Sequence, residues 1–348
     1  MRKLLLTLSF IIFQIPLFGQ NIQRLNMMVN YGVIIPHSTE LRPFAQSNIS
    51  GFGVHYQFLK PEKKNWEICN CYHYLGLQLS WHNFGNPDVL GSALSLSATF
   101  EPILWKKGKT RLSLLSGIGT SYLNRVFDPN DNPDNVFFSS RLSFLGFVAP
   151  RLEYRFSEKW ALESSLTFNH ISNGGLQQPN KGMNYLILGL GINHYLNYTE
   201  FPEFEKEEFS KEWAFYLELA GHTSYSETAM RRKPSFSVFS EALRPINRIQ
   251  GIGAGVEMVL DFSLPVEASR AEAFMPAPFV AHHFLFGKVD FCQVMALYTL
   301  KPVGYNDYTF YQRYILRYQI LSSLHLGVSL KAHGHVAESI DVRLGWKF

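Results

Sequence analysis

A two-residue rhythm runs through this chain. From about residue 24 onward, segments of roughly 9–15 residues alternate apolar with polar or small side chains, and turns rich in Gly, Pro, Asn and Asp separate them. A period of two sends successive side chains to opposite faces of a strand, so each segment reads as a β-strand with one apolar face. Helical periodicity is hard to find. Candidate strands lie at 24–34, 50–59, 74–84, 91–104, 110–123, 138–156, 159–172 and 184–198. After an acidic stretch at 201–212, further candidates lie at 213–225, 248–263, 278–286, 288–299, 309–320, 323–333 and 337–347. Connections alternate between short (KKGK, SEK) and long (DPNDNPDN), which suits an antiparallel barrel with tight turns at one end.

Which face meets water decides what kind of barrel this is. In 184–198, Leu186, Leu188, Leu190, Ile192 and Leu196 share one face, while Tyr185, Gly189, Gly191, Asn193 and Tyr195 share the other. A water-facing wall would be rich in Lys and Glu, yet only 17% of the chain is charged while 46% is hydrophobic. Soluble domains carry about 25% charged residues. With 29 Phe, 17 Tyr and 6 Trp the composition also excludes disorder. The leucine face therefore points to lipid and the Gly/Asn/Tyr face to a polar lumen. The expectation is an all-β, antiparallel transmembrane barrel of the outer membrane with about 14 strands, 12 to 16 being allowed. The fifteen candidates are an odd number where bacterial single-chain barrels are even, so either the split at Gly287 is wrong or a strand is missing from 226–247. One closed barrel is preferred to two, because an open edge in lipid leaves backbone groups unsatisfied and the second half looks short for eight strands.

Residues 1–20 carry Arg2 and Lys3, then an apolar run from Leu4 to Phe18 and the small Gly19. This is the pattern of a secretory signal peptide cleaved near Gly19, since about 15 apolar residues broken by Gln14 and Pro16 fall short of the roughly 20 that span a bilayer. No Cys follows to take a lipid anchor. The division expected is a leader at 1–19, a strand region at 20–200, a linker or periplasmic turn at 201–212, and additional strands at 213–348 completing the barrel in the outer membrane of a Gram-negative bacterium. The net charge of +4, or +2 without the leader's two cations, gives no footing for nucleic acid. Cys69, Cys71 and Cys292 are too few for a disulfide framework, and Cys-x-Cys lacks a second ligand pair at zinc spacing.

The chemically informative stretch is FNHISNGGLQQPNKGMNYLILGLGINHYL, 168–196. His170 and Ser172 are two apart, so on a strand they share a face about 6.6 Å apart along its axis. That face continues through Phe168, Leu166, Ser164 and Leu162, which puts the pair on the lipid side. A hydroxyl beside an imidazole is the minimum for nucleophilic acyl transfer. Asn173 with the amides of Gly174 or Gly175, and Asn180 nearby, are candidates for stabilising the oxyanion. On spacing alone, a polar strand end near the headgroups explains His-x-Ser better than a catalytic pair does.

The wider pattern resembles the outer-membrane lipid A 3-O-deacylase family: His170-Ile171-Ser172-Asn173-Gly174-Gly175 followed by Pro179-Asn180-Lys181-Gly182. The resemblance implies an eight-stranded barrel over roughly 24–198, and an esterase with Ser172 as nucleophile and His170 as base. Its site would lie on the outer wall, where lipid A in lipopolysaccharide can reach it, and it needs no metal or organic cofactor. Larger relatives, often described as acyloxyacyl hydrolases, carry an extension like that after residue 212. One position departs from the pattern. The family places a Glu twelve residues after the Ser, to orient the His, and this chain has Asn184. An Asn can hold an imidazole but cannot stabilise imidazolium with a full charge. Glu163 is on the wrong face to substitute, and Glu338 lies in a distant strand. If strand one runs outward, Ser172 ends the seventh strand on the extracellular side.

Other candidates are weaker. His333 and His335 with Glu338 have metal-ligand spacing but equally suit a polar turn. His282 and His283 cannot share a face. Arg231, Arg232 and Lys233 are placed in a long extracellular loop, where they could meet lipid A phosphates. The chain ends VRLGWKF, and Phe348 on an amphipathic strand resembles the signal read by the barrel assembly machinery. Two alternative readings stay open: a non-catalytic outer-membrane barrel acting as pore or lipid-binding scaffold, and a soluble periplasmic binding barrel.

Overall fold

The computed structural model describes residues 21–206, 208–226, 230–264, 273–302, 305, 307–334 and 336–348. The leader, its expected cleavage site and His335 lie outside the described residues. The chain forms β1 (Ile22–Ile35), β2 (Asn48–Leu59), β3 (His73–Asn83), β4 (Ser92–Lys107), β5 (Thr110–Leu123), β6 (Leu142–Arg155), β7 (Trp160–Ser172) and β8 (Met183–Asn197). Beyond the linker come β9 (Ala214–Ser226), β10 (Arg231–Pro245), β11 (Gln250–Asp261), β12 (Phe274–Phe286), β13 (Val289–Leu297), β14 (Phe310–Gln319), β15 (Leu324–His333) and β16 (Val336–Lys347).

These strands close into two barrels, β1–β8 and β9–β16, and not into a single barrel of about 14 strands. β8 returns to β1 and β16 returns to β9, so each barrel removes its own edge and satisfies the backbone requirement separately. The second half is long enough because its turns are tight: Phe286 and Val289 end and begin neighbouring strands across Gly287, whose φ of 59° makes that split a real turn. The missing strand is β10. Its opening, Arg231-Arg232-Lys233-Pro234, carries the marks of a loop, since Pro removes a ladder donor and cations favour solvent. The cations therefore begin a strand and do not lie in a long loop. β6 starts at Leu142 instead of 138 because Phe137 and Phe138 tuck into the mouth of the first barrel, beside Leu41, Phe84 and Leu90.

The alternation sorts side chains as read. On β8 Leu188 and Leu190 are 55% and 57% exposed on the outer wall, while Asn193 and Tyr195 are buried within. On β7 Leu162, Leu166 and Phe168 face out and Glu163, Ser165 and Asn169 face in. An apolar outer wall around a polar interior is the polarity of a barrel in lipid.

Both lumens are filled with paired charge. Arg24 lies 2.9 Å from Glu101 and 2.6 Å from Glu153, and Arg151 lies 3.0 Å from Glu163. In the second barrel Arg343 bridges Glu218 at 3.0 Å and Glu257 at 3.1 Å, and Arg317 reaches Glu218 and Glu241. An eight-stranded barrel has an interior just wide enough for side chains, and these occupy it. His283 joins this network between Glu241 and Asp290, while His282 faces out against Phe284. Cys69 and Cys71 are disulfide-bonded to each other between β2 and β3, and Cys292 is buried.

The barrels touch at both ends. Phe100 packs on Phe286 with ring centroids 4.8 Å apart, and Arg248 Nε donates to the Glu67 carbonyl at 2.8 Å. At the opposite end, the loop after β7 packs against β16.

Candidate active site

His170 and Ser172 occupy the last turn of pleat on β7, on its outer face, with Gly146 and Phe144 opposite them on β6 and Asn184 opposite His170 on β8. Gly146 leaves open space on the outer wall beside the imidazole: a Cβ built there meets nothing within 4 Å. Where β7 ends, the chain makes a loop with left-handed Gly174 (φ 68°) and Gly175 (φ 82°), a cis Gln178–Pro179 bond, and left-handed Gly182 (φ 71°), then enters β8. Gly182 is the point on which the pair converges. A Cβ there would stand 3.1 Å from His170 Cε1 and 3.2 Å from Ser172 Cβ, so only glycine leaves the imidazole edge and the serine side chain facing one small space.

Asn184 meets His170 across the β7–β8 pair. Its Oδ1 lies 2.6 Å from His170 Nδ1. Behind it stands His37, just past the end of β1, with Nδ1 3.3 Å from Asn184 Nδ2 and Nε2 2.9 Å from the Lys181 carbonyl. With neutral imidazoles, the Lys181 carbonyl sets the protons along this row. A carbonyl only accepts, so His37 carries its proton on Nε2 and presents a lone pair at Nδ1. Asn184 must then donate through Nδ2 and accept through Oδ1, which makes His170 the Nδ1–H tautomer with its Nε2 lone pair free. That is the protonation a general base needs.

The rest of the motif is framework. The Asn173 Nδ2 donates to Ser139 Oγ at 3.0 Å and to the Gln177 carbonyl at 2.8 Å, while its Oδ1 accepts from the Gly175 amide at 2.9 Å. Asn180 Oδ1 accepts from the Asn173 amide at 3.1 Å. Lys181 and Gly182 amides donate to the Val136 and Phe137 carbonyls, tying the loop to the β5–β6 connection. Of the oxyanion candidates, the Asn173 and Gly175 amides are thus engaged, and the Gly174 N–H carries no hydrogen bond among the described residues. A Cβ on Gly174 would come 2.1 Å from Ile340 Cδ1, and one on Gly175 would lie 3.3 Å from the Glu338 carbonyl, so the second barrel is seated directly on this loop.

The remaining candidates fall elsewhere. Glu163 is in the lumen with Arg151. Glu338 pairs with Lys331 at 3.1 Å and with His333, whose Nε2 lies 2.9 Å from the Tyr298 hydroxyl. Arg232 is held on Thr223 at the rim of the second barrel, with Arg231 exposed beside it and Lys233 next along β10. His37 and Gly146 were not found by sequence reasoning. His37 is 147 residues from Asn184, and only closure of β1 on β8, which pairs Ile35 with Asn184, brings the two together.

The model of the lipid A 3-O-deacylase family matches residues 50–193, and that of the acyloxyacyl hydrolase C-terminal domain matches 211–348. The two together account for well over half of the chain. The chain belongs to the lipid A 3-O-deacylase family. The first match falls within the first barrel, and the second begins just before the second barrel does. Among solved structures, the outer membrane enzyme PagL is 15% identical, covering 48% of this chain and 97% of its own, with a TM-score of 0.35. Pseudomonas aeruginosa OccK5 (OpdH) is 9% identical over 94% of this chain and 97% of its own, TM-score 0.25. A mutant of the Rh. blastica porin is 10% identical over 94% and 100%, TM-score 0.20. The fold assignment rests on the strand pairing itself and not on these superpositions. No curated protein matches the sequence.

Proposed function

We propose that this deacylase-family chain is a serine esterase that removes an ester-linked acyl chain from lipid A in the outer leaflet of a Gram-negative outer membrane. The observation that carries the reading is the row His37–Asn184–His170 behind Ser172 on the outer wall, an arrangement that, with neutral imidazoles, keeps the His170 Nε2 lone pair available. In the reaction, His170 Nε2 takes the Ser172 hydroxyl proton as Oγ attacks the ester carbonyl. The Gly174 N–H is the donor left to meet the developing oxyanion. His170 then returns the proton to the sugar oxygen, which leaves as the alcohol, and a water activated by the same nitrogen hydrolyses the acyl-serine. The open space at Gly146, flanked by Phe144 and Val148, suits the acyl chain. Asn184 works here as a tautomer-setting group and not as a counter-charge. No step calls for a metal or organic cofactor.

The filled lumens give no support to the pore reading. Phe348 is exposed and exchanges backbone hydrogen bonds with Phe215 across the closing seam, and we propose it as a residue read by the barrel assembly machinery. The reading is tested by trapping with a lipophilic phosphonate ester in detergent. The adduct is expected on Ser172 and its rate of formation should fall sharply in His170→Ala; labelling elsewhere, or at an unchanged rate, would overturn it.

A further inference from the structure

The loop that follows Ser172 forms one wall of a cleft of about 550 Å³ whose other wall belongs to the second barrel. The first wall is Gly174–Gln178; the second includes Ser224 on β9, Arg232 on β10, Asp261 on β11 and Ser339 on β16. Its chemistry is mixed. Backbone amides, hydroxyls, a guanidinium and a carboxylate offer donors and acceptors within one space, as a ligand with many hydroxyls requires. Arg232 is anchored, with Nε donating to Thr223 Oγ1 at 2.9 Å and Nη2 to the Thr223 carbonyl, which leaves other donors of its fork for an anionic oxygen. Ser339 Oγ is buried and has no hydrogen-bond partner among the described residues, a polar group placed without a protein partner. Below it, Lys331, Glu338 and Tyr305 pair among themselves, so the base of the cleft is preformed. The cleft lies two residues from the nucleophile along the chain, at the same end of the molecule.

We propose that this inter-barrel cleft binds the phosphorylated amino-sugar headgroup of the substrate, its sugar hydroxyls meeting the loop and Ser339 and its phosphate meeting Arg232, while the acyl chain lies on the outer wall. The second barrel is then the headgroup-recognition half of the enzyme. This rests on the deacylase reading, and the test separates the two. The full chain in detergent, as wild type, Arg232→Glu and Ser224→Trp, is assayed on lipid A and on a long-chain p-nitrophenyl ester that has no headgroup. The ratio of the two kcat/KM values is expected to fall about 10-fold or more in both variants, the order set by one charge-assisted hydrogen bond, with the loss carried by KM for lipid A. An unchanged ratio overturns the headgroup site while leaving the esterase intact. If wild type cleaves neither substrate, the deacylase reading fails, and the cleft is judged by titrating Ser172→Ala protein with the O-deacylated disaccharide bisphosphate. Binding weakened about 10-fold by Arg232→Glu supports the site. Equal binding, or none, overturns it.

Discussion

Replacing His37 by Ala tests whether the row behind the base matters. In wild type the Asn184 amide is held one way round, because Nδ2 is spent on His37 Nδ1 at 3.3 Å. Without His37, the amide can turn over and present Nδ2 to His170, which then carries its proton on Nε2 and cannot take one from Ser172. The bias that His37 supplies is one neutral hydrogen bond, worth about 0.5–1.5 kcal/mol net, so the competent population should fall roughly 2- to 12-fold. Both residues are proposed to act only through His170, so the loss should be in kcat. Asn184→Ala removes the acceptor at 2.6 Å and leaves the mostly buried imidazole donor without a partner. That costs about 1–3 kcal/mol, a further step down of up to about 100-fold relative to wild type. His37→Gln should restore most of the rate, because its amide can accept from Asn184 and donate to the Lys181 carbonyl at once. The assay is initial-rate deacylation of lipid A in mixed micelles, with kcat and KM separated. Wild-type kcat in His37→Ala alongside a depressed Asn184→Ala would refute the orienting role. A His37→Ala rate below that of Asn184→Ala would mean that His37 acts in its own right.

Three further outcomes follow from the geometry. Gly182→Ala should lose most activity and about 1–2 kcal/mol of stability, measured by the shift of the folded band on heating in detergent, because alanine pays for φ 71° and crowds His170 and Ser172. Arg343→Met, which removes the cation shared by Glu218 and Glu257 at 3.0 and 3.1 Å and leaves them to Arg317 and Arg313, should destabilise the second barrel by about 3 kcal/mol in the same assay. The wild-type chain in planar bilayers should show no steady ionic conductance, since both lumens are occupied; sustained channels would contradict the packing described.

The first barrel was legible in the chain because its alternation is uninterrupted: all eight expected strands before the linker are present, with β6 alone starting well late, at Leu142 and not at 138, and the outward face of His170 and Ser172 follows from parity alone. The second barrel was not, and β10 is the reason. Pro234 and three cations at a strand start imitate a loop, since rim residues meet solvent whether they are paired or not. Losing that strand left an odd count and made one large barrel look better than two small ones. Barrel number also depends on which strands pair across long separations, such as β9 with β16, and no local pattern encodes that. The site divided the same way. His170, Ser172 and Asn184 sit in one hairpin and could be read together, whereas His37 and the contact of Ile340 on Gly174 exist only after each barrel has closed and the two have met. The framework role of Asn173 likewise depended on Ser139, which the chain brings in from another loop.

The most direct measurement is the mass of lipid A recovered after incubation with purified wild-type protein and with Ser172→Ala. The account predicts loss of one acyl chain with wild type, a free fatty acid or hydroxy acid as co-product, and a rate at least about 1,000-fold lower for Ser172→Ala. Acyl loss at an equal rate in both proteins would contradict it.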